Sequence, residues 1–138
     1  MSKEEKIVKK EKILILCLDA PYSTPLLADK LSFMKSASKL YQDVVVFFYI
    51  DGIHQLKEDQ FARSVPEIGH LLRELNSKSN LRFVACSRCS GARGYLDLKK
   101  SDIDNNLFVP QNLIEGVEIA SILDVGKYIS HGYRITRL

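Results

Sequence analysis

The residues best placed by type and spacing to do chemistry are the two thiols of Cys86-Ser87-Arg88-Cys89. They follow an apolar stretch at 81–85 with strand character, so Cys86 falls where a strand ends and a short helix begins. Backbone N–H groups of that helix point back towards the thiol. Their partial positive charge, with Arg88 or Arg93 added, favours thiolate over thiol. A thiolate is the form that attacks sulfur, so persulfide or disulfide chemistry is the reaction class expected of Cys86. The competing reading is a buried, inert cysteine, but a strand-end turn is usually partly exposed, which favours function. Cys89 lies one helical turn further on. Two readings of it stay open: it resolves a persulfide as a disulfide, or it packs under the helix. Cys17, inside an apolar strand, reads as packing.

Metal chemistry is not expected. A zinc site needs four ligands, and the further candidates are Cys17, His54, His70 and His131, no two of them close in sequence. An odd number of cysteines in a chain long enough to bury a core argues against a disulfide framework. A thioredoxin-type dithiol is the other generic reading of Cys-x-x-Cys, but here the pair follows the third strand rather than an early one.

The elements that must position these thiols alternate. An apolar run at 13–18 ends at Asp19-Ala20-Pro21 and reads as a strand buried on both faces. Thr24 as N-cap and Pro25 at the first helical position open a helix over 25–41, with Leu26, Leu27, Leu31, Met34, Ala37, Ser38 and Tyr41 at helical spacing. A second strand at 44–50 is stopped by Asp51-Gly52. Residues 53–64 are polar and mixed, a loop or short helix, and Pro66 opens a helix striped by Ile68, Leu71, Leu72 and Leu75. After the third strand, Ser87 caps the short helix and Gly94 suits the left-handed position that ends it. Residues 97–112 read as a polar surface loop with a helical turn, 117–119 as a short strand, 121–132 as a helix capped by Ser121 and ended by Gly132, and 133–138 as a closing strand. This alternation predicts a three-layer α/β/α sandwich around a mainly parallel sheet of about five strands, flavodoxin/Rossmann-like in class. The chain's 138 residues suit one compact domain over 13–138, preceded by a charged flexible tail at 1–12.

In such sheets function collects at the carboxyl ends of the strands. Tyr22, Ser23, Asp51 and Gly52 lie in turns that should border the same crevice as Cys86. With Arg88 and Arg93, Tyr22 and Asp51 are candidate substrate contacts, although ordinary turn chemistry explains the turn residues equally simply. His54 reads as a surface histidine. Neither a Gly-x-Gly-x-x-Gly nor a Gly-Lys-Ser/Thr loop is present, so flavin or nucleotide binding would rest on fold analogy alone, and no cofactor is expected.

Composition narrows the setting. The chain is 46% hydrophobic and 27% charged, the balance of a folded globular protein. Its +3 net charge comes from 20 basic and 17 acidic residues, and five lysines crowd into the first twelve positions. No basic stripe is left for nucleic acid. The longest apolar run, at 44–50, is far below the ~18–20 residues of a membrane span, and the charged start lacks the apolar core of a secretion signal. A soluble cytoplasmic protein is the expectation.

The segment Phe83-Val84-Ala85-Cys86-Ser87-Arg88-Cys89-Ser90-Gly91-Ala92-Arg93-Gly94 resembles the cysteine motif of the DsrE/DsrF/TusD-like sulfur-relay proteins: a strand-end cysteine, six residues of short helix, then Arg-Gly. The resemblance extends to residues 13–21, to residues 47–52 with their Asp-Gly end, and to Gly116-Val117-Glu118. It implies a DsrE-like fold, Cys86 as the residue that accepts sulfane sulfur as a persulfide, donor and acceptor partner proteins, and homo- or hetero-oligomers built on trimers or paired trimers. Cys89 departs from the many members with a single cysteine, because an adjacent thiol can discharge a persulfide as hydrogen sulfide.

Overall fold

The computed structural model describes residues 11–21, 27–60, 68–78 and 80–138. Five strands form one parallel sheet: β1 (Lys12–Cys17), β2 (Asp43–Phe48), β3 (Leu81–Cys86), β4 (Glu118–Ala120) and β5 (Arg134–Arg137), in the order β4-β3-β2-β1-β5. Between them lie α1 (Leu27–Leu40), α2 (Ile68–Asn76), the short α3 (Ser87–Ala92) and α4 (Asp124–Ser130). A 3-10 helix spans Ile50–Leu56, and a second covers Ile103–Asn105.

Successive strands from β1 to β4 step in one direction across the sheet. Right-handed crossovers therefore carry α1, α2 and α3 over one face, while the return from β4 past three strands to β5 carries α4 over the other. The expected α/β sandwich is the architecture found. Its central strand shows why it holds: Val44, Val45, Val46, Phe47 and Phe48 of β2 are all buried, as a strand covered on both faces must be. Phe48 meets Phe83 of β3 edge-on, with ring centroids 5.4 Å apart, a contact that adds roughly 0.5–1.5 kcal/mol to the burial itself. Leu31, Met34 and Ala37 of α1 and Leu72 and Leu75 of α2 complete the core at the spacings read from the sequence. The edge strand β5 carries exposed Arg134 and Arg137, charges that discourage pairing with another edge.

Several boundaries move, each for a local reason. The strand expected over 44–50 ends at Phe48, because Ile50 turns into the left-handed region at φ +53° and opens the 3-10 helix. That helix buries Gly52, Ile53, Gln55 and Leu56, so 53–56 belongs to the core rather than to a polar surface stretch. Ser87 is not the cap of α3: Cys86 occupies the N-cap position, with backbone at φ −63°, ψ 126°, and Ser87 is the first helical residue. Gly94 does take the left-handed position, at φ +81°. Helix α4 begins at Asp124 rather than at 121. Ser121 still shapes its start, its hydroxyl accepting the Leu123 N–H while Asp124 accepts the Ser121 N–H. The loop at 97–112 is pinned by bridges between Leu96 and Pro110 and between Asp102 and Leu107, and it exposes Leu98, Ile103 and Leu107, more apolar than expected. Lys12 is already part of β1, and residues 1–10 of the charged tail lie outside the described residues, as do Thr24, Pro25, Leu26 and Pro66. No helix among the described residues is long and apolar enough to cross a membrane.

Candidate functional site at the carboxyl ends of β1, β2 and β3

Strand β3 is paired on both sides, with β2 and β4, and its last residue is Cys86, opposite Ala120 of β4. The strand delivers the thiol to the rim of the sheet, but the rim is covered: Cys86 is only 3% exposed. Burial pushes its thiol up, and the Cys89 thiol beside it adds to the rise. The backbone N–H groups of Cys89 and Arg88 pull the other way without prevailing. This corrects the expectation of a thiolate favoured at the start of the short helix. The helix start lowers the thiol's pKa as expected, but desolvation outweighs that effect, and Cys86 Sγ accepts no capping hydrogen bond.

The arginines are engaged elsewhere. Arg93 donates from Nε and Nη2 to Oδ1 of Asp51, at 3.2 and 3.0 Å, and from Nη1 to the carbonyl of Cys89 at 3.3 Å. Arg88 is exposed and lines a separate groove with Ser87, Leu96, Leu98, Ile103 and Phe108. The structure therefore gathers Cys86, Cys89, Arg93, Asp51 and Gly52, and leaves Arg88 facing another surface. Tyr22 and Ser23 lie outside the described residues.

Cys89 is half-buried, and its Sγ accepts the backbone N–H of Ile50 at 3.2 Å. That N–H is aimed by an unusual backbone. A β-branched residue at φ +53° is strained by about 1–3 kcal/mol and persists only where its surroundings fix it. Here they do. Gly52 is pressed against the end of β1 so closely that a Cβ on it would stand 2.1 Å from the Cys17 carbonyl oxygen. The Tyr49 N–H donates to that same oxygen at 3.1 Å, and the Gly52 N–H closes the turn onto the Tyr49 carbonyl. Close approach, not turn propensity, is why glycine follows Asp51. Three residues further along, Gln55 donates from Nε2 to the Asp19 carbonyl at 2.7 Å, and Asp19 pairs with Lys30 at 2.9 Å. The segment 49–56 thus laces the end of β1 to the thiol-bearing turn after β3.

His54 is half-buried rather than a free surface residue: its Nδ1 pairs with the Tyr95 hydroxyl at 2.7 Å, and the two rings meet edge to face. The Tyr95 N–H in turn donates to the Ser90 carbonyl at the end of α3. Sequence reasoning missed Tyr95, Gln55 and the Ile50 N–H. For Tyr95 the available signal was an aromatic directly after the helix-ending Gly94, and for the Ile50 amide there was none. Cys17 sits in the core, its thiol pushed up to about 12 by burial. Among the described residues no group of three or more His, Cys, Asp or Glu side chains could hold a metal ion.

Solved structures of similar shape show the fold alone. The ychN protein of E. coli superposes with a TM-score of 0.69 at 21% identity, covering 93% of this chain and 99% of its own. A conserved protein of unknown function from Bacteroides thetaiotaomicron gives 0.59 at 11% identity, covering 91% and 94%. A search of curated proteins returns no match. Residues 11–136, from the residue before β1 to within β5, match the DsrE/DsrF-like family, and the chain belongs to that family.

Proposed function

We propose that this protein is a sulfane-sulfur carrier, a sulfurtransferase in the broad sense, that holds sulfur as a persulfide on Cys86 and passes it to a partner protein. The observation that carries the reading is the position of Cys86: the last residue of an interior parallel strand and the N-cap of α3, at the rim of the sheet. The Cys86 thiolate attacks the outer sulfur of a donor persulfide, R–S–SH. The new S–S bond forms on Cys86 and the donor leaves as R–S⁻. An acceptor thiolate then takes the same outer sulfur and returns Cys86 to its thiolate. The chemistry needs no cofactor, and a reducing cytoplasm keeps both thiols free. Incubation with inorganic polysulfide should add one sulfur (about 32 Da) to Cys86, read by peptide mass spectrometry. No adduct on either the native protein or Cys89→Ser, or an undiminished adduct in Cys86→Ser, overturns the assignment.

Partners of two kinds accompany this reading. Donor and acceptor proteins follow from a relay family. A homo-oligomer, a trimer or a pair of trimers, is supported by the exposed Leu98, Ile103 and Leu123, which line two adjoining grooves that share Ser87 and Phe108. Light scattering of the wild type and of Leu123→Glu tests it.

A second reading is favoured by one observation, the 3% exposure of Cys86: an oligomeric binding or regulatory module whose thiols are structural. Native thiol titration separates the two. If Cys86 resists an alkylating reagent until the protein is denatured, and gains no sulfur, the module reading holds.

A further inference from the structure

Two features of the site are left unused by one-cysteine carriage: a second thiol beside Cys86, and a strained backbone that aims an N–H at that second sulfur. Cys86 and Cys89 stand at the N-cap and third position of α3, an i, i+3 pair on one helix face. Cys-x-x-Cys across a helix start is the spacing at which dithiols close and reopen. The Cys89 thiol is near enough to Cys86 to help hold it protonated.

The surroundings of the two sulfurs differ in the way a resolving pair requires. Cys86 is enclosed, whereas Cys89 is half-buried and accepts the Ile50 N–H. The Ile50 N–H holds the Cys89 sulfur in place beside the enclosed Cys86, where as thiolate it is the attacking group. That donor exists only because Ile50 holds φ +53°, fixed by Gly52 against the Cys17 carbonyl and by the fork of Arg93, which grips both Asp51 and the Cys89 carbonyl. Strain at an N–H that points at a sulfur is an arrangement packing alone does not demand.

We propose that Cys89 discharges the sulfur carried on Cys86, so that the site releases sulfide unless an acceptor protein takes the sulfur first. This step rests on the carrier reading above. The Cys89 thiolate attacks Sγ of the Cys86 persulfide. A Cys86–Cys89 disulfide forms, the bond from Cys86 Sγ to the outer sulfur breaks, and hydrosulfide leaves with the electron pair. The outer sulfur is reduced to sulfide while the two cysteines are oxidised to a disulfide. A dithiol reductant of the thioredoxin or glutaredoxin class then returns both thiols by exchange. Cys89 thereby sets the lifetime of the cargo.

The full chain as wild type, Cys89→Ser and Cys89→Ala is loaded with inorganic polysulfide and desalted. It is then followed by intact mass and by trapping of sulfide with a bimane reagent. Wild type is expected to lose its adduct, release one equivalent of sulfide, and end two hydrogens lighter than the reduced protein. Both Cys89 variants are expected to hold one sulfur on Cys86 and to release sulfide at least tenfold more slowly. Equal lifetimes in wild type and in both variants overturn the discharge step and leave the carrier reading intact, as does sulfide release without loss of the two hydrogens. Absence of an adduct from both Cys89 variants overturns the carrier reading, and the discharge step with it.

Discussion

Replacing Gly52 with alanine isolates the contact on which the site's geometry rests. The added Cβ would stand 2.1 Å from the Cys17 carbonyl oxygen, 2.8 Å from its carbon and 3.2 Å from the Leu18 nitrogen. All three are backbone atoms in or next to a strand paired on both sides, so no side chain can swing away to make room. Overpacking of this kind costs about 1–3 kcal/mol, and displacing the Tyr49 N–H from the same carbonyl adds roughly 0.5–1.5 kcal/mol. A loss of about 2–4 kcal/mol is therefore expected for Gly52→Ala, read as a lower urea midpoint at unchanged slope. Gly126 supplies the control. It lies in α4 with ordinary negative φ, and a Cβ there meets nothing within 4 Å. The same chemical change in Gly126→Ala should stabilise by about 0.5–1 kcal/mol through helix propensity. A Gly52→Ala protein within about 0.5 kcal/mol of wild type would refute the argument from close approach.

Three further outcomes follow from the charges and thiols. Because burial holds the Cys86 thiol above its ordinary range, its alkylation rate should keep rising about tenfold per pH unit to at least pH 9; a plateau below pH 8 by peptide mapping contradicts this. Cys17 is raised from 9.0 to about 12, and Tyr133 from 10.0 to about 12. Each is neutral in the fold and ionises more readily when unfolded, so the stability they confer is complete below about pH 9 and is lost as pH rises towards 12. Urea titrations across that window should show a shallower decline in Cys17→Ala, and an identical decline counts against the assignment. Asp51→Asn breaks a partly exposed ion pair, so it should change stability by less than about 1 kcal/mol, a change that shrinks further in high salt.

How much of this was legible in the sequence depends on the range over which each cause acts. The strands and the alternation were readable because burial on both faces writes itself as unbroken apolar runs, as in β2, and because Leu31, Met34 and Ala37 repeat at helical spacing. The position of Cys86 at a strand end was readable for the same reason. Its ionisation was not. Whether a strand-end thiol faces water is decided by what packs around it, and the 49–56 segment, which packs against β3 and is laced to β1 by Gly52 and Gln55, comes from 30 or more residues earlier in the sequence. The pairing of Arg93 with Asp51 was equally hidden, so a cation assigned to the sulfur proved to be spent on a carboxylate. Arg88, two residues after Cys86, faces a separate groove because a short helix turns it away. Local pattern reveals elements; non-local contact decides their electrostatics.

The two ends of the sheet divide stability and chemistry between them. At the amino ends, the Asp43 carboxylate accepts a hydrogen bond from the Tyr133 hydroxyl and another from Arg82, while Arg82 also reaches Glu118 and Lys12 stacks over the Tyr133 ring. These contacts tie β1, β2, β3, β4 and the entrance to β5 together, and none touches the thiols. At the carboxyl ends, the thiols depend on the strained Ile50 turn and an exposed ion pair, contacts that are individually weak. Tyr133→Phe removes one hydrogen bond to a charged group and should lower stability by roughly 1.5–3 kcal/mol, while alkylation rates at Cys86 and Cys89 stay within about twofold of wild type. A Tyr133→Phe protein that keeps full stability would show the amino-end network to be dispensable. One whose thiol rates shift tenfold would show the two ends to be coupled, and the division of labour to be false.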